Sequence, residues 1–289
     1  MGSGTVSHSS MRTYASSLGR SYDSSTGRVT GQEFVARTID QSLDPRNFKV
    51  RECVNSEEHP NTIPVILGLD VTGSMGEACS ETAAALGTII MNLYKKFSDI
   101  EFCIMGIGDL AYDRAPVQMS QFESDIRIAE SLDKIYMEHG GGGNDFESYT
   151  AAWYMGLKRT KLDCFDKQQR KGIIITMGDE PLNPYLPCGN LNDAVNATEE
   201  SHVETPALYA EALEKFDIFH IAVDSPRDSY QYHKNDIENS FGQLLGSRFK
   251  VASIDNLAQV IESCITESVQ GYSDSSHVNT ATGNNDISW

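Results

Sequence analysis

An open, doubly wound α/β fold, its sheet mostly parallel, with helices on both faces and an extended polar arm at each end, is what this sequence predicts. Three observations predict it. Five short apolar runs recur along the chain, segments with helical spacing separate them, and the two ends have compositions that do not suit a core.

Residues 1–30 contain nine serines with Gly, Thr and Tyr and almost no aliphatic side chains. That is too little apolar surface to fold alone. From Gln32 to Glu58 apolar residues come singly (Phe34, Val35, Ile39, Leu43, Phe48, Val50), as suits a segment lying across a domain. Residues 1–60 are therefore read as a Ser-rich N-terminal arm, 61–270 as the domain and 271–289 as a polar C-terminal tail. Such ends must be ordered either by the body or by a neighbouring chain.

The apolar runs Val65 to Leu69, Phe102 to Ile107, Ile173 to Thr176, Ile218 to Val223 and Phe249 to Ala252 are nearly continuous, the mark of strands buried on both faces. Helical spacing follows the first and the last: Leu86, Ile89, Ile90, Leu93 and Phe97, then Leu257, Ile261, Cys264 and Ile265. Val117 to Phe122 alternates after Pro116 and predicts a short extra strand at an antiparallel edge.

Composition narrows the function classes. The formal charge of −18 lies wholly beyond residue 60, because residues 1–60 hold seven Lys/Arg against seven Asp/Glu. Such a body repels phosphate backbones and anionic lipid, which argues against nucleic-acid and membrane-surface binding and favours proteins and cations. No apolar run approaches the roughly 20 residues of a spanning helix. The Ser-rich start has no apolar signal core, and six cysteines without a CxxC pair suit reduced thiols. A cytoplasmic location is expected.

In an open parallel sheet, ligands bind beyond the carboxyl ends of the strands. The first predicted strand runs straight into Asp70-Val71-Thr72-Gly73-Ser74-Met75-Gly76. Alternate residues of an extended turn point the same way, so Asp70, Thr72 and Ser74 can converge on one point. One carboxylate and two hydroxyls are hard oxygens that suit a magnesium-like cation.

With these residues the chain resembles a von Willebrand factor type A (vWA) domain, whose metal-ion-dependent adhesion site (MIDAS) carries Asp-x-Ser-x-Ser after the first strand. Thr72 stands where the family has its first Ser. The resemblance covers roughly Ile63 to Val269 and implies two further ligand loops. In Gly140-Gly141-Gly142-Gly143-Asn144-Asp145-Phe146-Glu147-Ser148, Asn144 falls where the family has a Thr, with Asp145, Glu147 and Ser148 as alternatives. In Thr176-Met177-Gly178-Asp179-Glu180-Pro181, Asp179 takes the acidic position, with Glu180 as fallback. Asp109, after the second strand, could reach the same rim behind the ligands. Arg51-Glu52, Glu58-His59-Pro60, Gln121 to Asp125, Glu147-Ser148-Tyr149 and Lys171-Gly172 are similar to a group of bacterial and phage vWA proteins.

The resemblance implies Mg2+ (or Mn2+ or Ca2+) as the ion and a protein partner whose Asp or Glu completes its shell. It further points to an AAA-type ATPase or self-assembly. A structural role in a phage particle, with the arms threading between neighbours and the chain located in the virion, is the alternative. Enzymatic readings fit less well. No Lys follows the glycines to make a P-loop, an aspartyl-phosphate hydrolase needs an acid where Thr72 stands, and no histidine spacing suits zinc. His139 reads as a loop histidine, and no base beyond the ligands is evident. A metal-dependent hydrolase is the remaining, disfavoured option.

Overall fold

The structure is a computed structural model that describes residues 4–30, 36–138, 146–224 and 230–278. The chain starts with helix α1 (His8–Ser17) and a hairpin of β1 (Ser21–Asp23) and β2 (Arg28–Thr30), then β3 (Arg51–Cys53). The domain begins with β4 (Ile63–Asp70), α2 (Gly76–Tyr94), β5 (Ile100–Ile107), β6 (Val117–Met119) and α3 (Arg127–Asp133). It continues with α4 (Thr150–Arg159), β7 (Thr160–Leu162), α5 (Asp163–Asp166), β8 (Gly172–Gly178), β9 (Tyr185–Leu186) and α6 (Cys188–Val195). Then come β10 (Val203–Glu204), α7 (Thr205–Lys215), β11 (Phe216–Asp224), α8 (Tyr230–Leu245), β12 (Phe249–Ser253) and α9 (Leu257–Val278).

The central sheet has the order β12-β11-β8-β4-β5-β6 and is parallel except for β6, which runs antiparallel to β5 at one edge. All five apolar runs are strands of this sheet, and the alternating segment after Pro116 supplies the antiparallel edge over Val117–Met119. Because side chains alternate across a strand, each run feeds two cores. Val65, Leu67, Phe102, Ile104, Ile173, Ile175, Phe219 and Ile221 face α2 and α9, where Ile89, Ile90, Leu93, Ile261, Cys264 and Ile265 meet them. Ile66, Cys103, Met105, Ile174 and Ile218 face the other way, onto Ala152, Trp153 and Met155 of α4, Leu208 and Ala212 of α7 and Phe241 of α8. A doubly wound sheet follows from that alternation.

The order of strand addition reverses at β4. From it the chain goes outward through β5 to β6, then returns to β8 on the other side and continues to β11 and β12. The carboxyl ends of β4, β5 and β8 therefore flank the switch point, where a doubly wound sheet leaves a crevice.

The N-terminal arm is ordered by the body of its own chain over residues 4–30. Ser7 and Ser10 form a reciprocal cap at the start of α1, and Met11, Ala15 and Val29 are buried in the same core as α2 and α3. Arg28 pairs with Glu81 of α2 at 2.6 Å, and Arg20 pairs with Asp133 of α3 at 2.6 Å. The hairpin turn needs Gly27, whose φ of +70° is left-handed and whose absent Cβ would lie 2.5 Å from Thr88 Oγ1. Phe34 and Val35 lie outside the described residues. In the segment after them, Leu43 is buried and Val50 is exposed. The Arg51 guanidinium stacks 3.6 Å over Phe48 and donates to Met119 O at 2.8 Å, and β3 pairs in parallel with β7.

At the other end α9 runs through Val278, so the helix takes in the first residues of the expected tail, and 279–289 lie outside the described residues. All six cysteines are free thiols. Among the described residues no helix is long and apolar enough to cross a membrane.

Candidate functional site

β4 delivers Asp70 to the switch point as its last residue, and a short 3-10 turn over Gly73–Met75 leads into α2. Asp70 is fully buried. Its Oδ1 accepts the Thr72 N–H at 2.9 Å and the Thr72 hydroxyl at 2.6 Å, while Oδ2 accepts the Tyr149 hydroxyl at 2.7 Å. The turn is thereby closed by its own first residue. Thr72, also buried, gives its hydroxyl proton to Asp70, which turns the oxygen into an acceptor toward anything electropositive. The Ser74 side chain lies outside what the structure describes.

The third loop leaves β8 at Gly178. Asp179 is fully buried and near enough to Asp70 for its charge to act there: the Asp70 carboxyl is pushed up to about 7, first by burial and second by Asp179. Glu180 is partly buried, its Oε2 3.9 Å from His233 Nε2, and its backbone N–H donates to the Tyr149 hydroxyl at 3.3 Å. Asn183 then locks this loop to the start of α4. Its Oδ1 accepts the Thr150 N–H at 3.2 Å, and its Nδ2 donates to Thr150 Oγ1 at 2.6 Å and Tyr185 O at 3.2 Å.

Of the second loop, Asn144 and Asp145, with His139, lie outside the described residues. Glu147 lies inside them and bridges Leu182 of the third loop through the backbone. It is 6% exposed, and its Oε2 has no hydrogen-bond partner. Burial, then the charges of Asp70, Asp113, Asp109 and Glu180, hold its carboxyl far above the usual range. Ser148, the remaining alternative, accepts the Leu110 N–H at 3.0 Å and so anchors the loop after β5.

In that loop Asp109 is buried. Its Oδ1 accepts the Ala111 N–H at 2.8 Å, and its Oδ2 has no partner. Asp113 Oδ2 accepts the Asp109 N–H at 2.7 Å, and burial is the first cause that lifts its carboxyl to about 6. Glu138 Oε1 accepts the Arg114 and Ala115 N–H groups at 2.9 and 2.8 Å, while its own N–H donates to Val71 O at 2.8 Å.

The structure thus gathers Asp70, Thr72, Asp109, Glu147, Asp179 and Glu180 at one end of the sheet. Among the described residues no group of three or more His, Cys, Asp or Glu is close enough to hold a metal by itself. The donor chemistry still fits a magnesium-like ion, which binds through one or two carboxylates and keeps several waters: Asp70 and Asp179 are both buried and act on each other, with a hydroxyl beside them. Sequence patterns assign no role to Tyr149, Asn183, Asp113 or Glu138. Asp113, four residues after Asp109, offers a faint signal, whereas Tyr149 looks like one more apolar residue at a helix start.

No family model and no curated protein matches the chain. Solved structures do. The pilus adhesin SpaC from Lactobacillus rhamnosus GG, in its open conformation, aligns with a TM-score of 0.50 at 10% identity over 75% of this chain. The match covers 31% of the SpaC chain, about a third of that protein's length. At that identity the likeness is one of fold alone. A von Willebrand factor domain of the type V pili tip protein Mfa5 from Porphyromonas gingivalis is also similar, with a TM-score of 0.40 at 12% identity over 78% of this chain and 98% of that one. The fold is the doubly wound α/β arrangement expected from the sequence.

Proposed function

We propose that the domain is a vWA-like protein-interaction module that takes a divalent cation, Mg2+ or in its place Mn2+ or Ca2+, at a MIDAS-type site and offers it to an Asp or Glu of a partner. The observation that carries this reading is the burial of Asp70 and Asp179 side by side at the switch point, with the Thr72 hydroxyl turned as an acceptor. Two buried carboxylates repel each other and lose their hydration. A divalent ion reverses both costs, and the partner's acid fills the position that Asp70, Thr72 and Asp179 leave open.

The second loop contributes Glu147 in this reading, because its buried oxygen without a partner needs either a proton or a cation. Asn144 and Asp145 are the other donors of that loop. The ion serves recognition and not hydrolysis, so a phosphatase and nuclease screen with Mg2+ or Mn2+ is expected to be negative. Docking of residues 4–30 on their own domain removes the observation that favoured threading of this arm between phage or assembly subunits.

The test is Mn2+ binding by the full chain, followed by partner capture with and without chelator. Wild type is expected to bind one Mn2+ at the site, and Asp70→Ala to lose it while keeping its circular dichroism spectrum. Capture that persists both in chelator and in Asp70→Ala would falsify the reading.

A further inference from the structure

Tyr149 stands between the first and third turns of the site. Its hydroxyl donates to Asp70 Oδ2 at 2.7 Å and accepts the Glu180 N–H at 3.3 Å. The ring is held on every side. A Cβ at position 178 would collide with the phenol, so only glycine fits there. His220 meets the ring edge-on at 5.0 Å, and Phe241 lies 5.9 Å away between centroids. A fully buried ring in such packing has no other place to put its hydroxyl.

The bonds around Asp70 give this hydroxyl a specific task. An ionised carboxylate offers about four lone-pair positions. The Thr72 N–H and hydroxyl both go to Oδ1, and Tyr149 takes one position on Oδ2. The orientation of the carboxylate is thereby fixed from both ends. The same phenol oxygen receives the backbone N–H that follows Asp179, so one atom ties together the two turns whose charges repel.

We infer that Tyr149 is the positioning residue of the cation site, a hydroxyl that holds Asp70 and the Asp179 turn in register before any cation arrives. The inference rests on the cation reading above and adds what sets the affinity. Partners that orient metal-bound side chains are worth about ten- to a hundred-fold in metal affinity. Tyr149→Phe keeps the ring and removes only the bridge.

The experiment compares Mn2+ titrations, followed by electron paramagnetic resonance, of the full chain and of Tyr149→Phe, Leu93→Ala and Asp70→Ala. Melting without metal is measured alongside. Tyr149→Phe is expected to weaken Mn2+ by about ten- to a hundred-fold, and Leu93→Ala, a core truncation at the end of α2 away from the site, to lower the melting temperature without changing affinity. Mg2+, which absorbs nothing itself, is expected to perturb a tyrosine band in the near-ultraviolet spectrum of wild type and not of Tyr149→Phe. Wild-type affinity in Tyr149→Phe overturns the inference, as does an equal loss in Leu93→Ala, which would make the effect one of general stability. If Tyr149→Phe does not fold, the wild-type band decides: its presence at saturation supports the bridge and its absence rejects it. Failure of wild type to bind Mn2+ rejects the cation reading and the role of Tyr149 with it, whereas binding lost in Asp70→Ala but untouched in Tyr149→Phe rejects the role of Tyr149 alone.

Discussion

His220 lies fully buried beneath the candidate site, stacked 3.6 Å from Phe241 and sharing a 2.9 Å hydrogen bond with Thr176 Oγ1 through Nδ1. Its Nε2 has no partner, and burial alone pushes the imidazole down to about 3. The unfolded chain takes up this proton below about 6.5, while the folded chain refuses it until near 3. His220 therefore contributes stability that is fully present above about pH 6.5 and is lost as pH falls toward 3. A tenfold difference in proton affinity between the folded and unfolded chain is worth about 1.4 kcal/mol, so one residue makes the fold markedly acid-sensitive. His220→Phe keeps an aromatic ring for the stack but cannot protonate. In urea unfolding across that window its stability should fall less steeply with acid than wild type, and equal slopes would contradict this account.

Among the elements, α4 matters most to the site, because Tyr149 and Thr150 at its start hold the first and third turns. Its other end is secured by Lys215, the last residue of α7. The Lys215 Nζ donates to Thr160 O at 2.7 Å and to Gly156 O and Leu157 O at 3.3 Å each. These are the carbonyls that a helix end leaves without partners. Burial pushes the ammonium down to about 8, the opposing cost of placing a cation there. Lys215→Met retains the aliphatic stem and strands the Leu157 and Thr160 carbonyls, while Gly156 O keeps the Thr160 hydroxyl. The substitution should cost about 1–3 kcal/mol in denaturant unfolding. Unchanged stability would mean that the carbonyls find other partners. The cap of this helix end lies 55 residues beyond Thr160, out of reach of any local pattern.

On the scale of the whole molecule, the N-terminal arm is a built part of the domain. Arg20 and Asp133 pair with side chains only 8% and 16% exposed, and the Tyr14 hydroxyl bonds the same carboxylate. Breaking such a pair by removing one partner leaves a nearly buried charge, at about 3 kcal/mol or more. Arg20→Met is therefore expected to lower global stability by that order and to speed amide exchange in α1 and the hairpin. Exchange that stays at the wild-type rate would show that the apolar contacts of Met11, Ala15 and Val29 suffice.

The sequence by itself determined the central sheet and its two-faced burial, because near-continuous apolar runs and helical stripes are local patterns that each element carries alone. It determined the closed turn at Asp70 as well, since Thr72 bonds a residue two positions away. Only the tertiary structure decided how the acids meet. Asp179 acts on Asp70 because β8 lies beside β4, and Tyr149 bonds Asp70 across 79 residues of chain. Which of the two orders the Ser-rich arm, the body or a neighbouring chain, was likewise open, because its few apolar residues gain their burial from α2 and α3 and not from one another. Contacts between distant segments depend on where the folded sheet brings them, and composition and spacing hold no record of that.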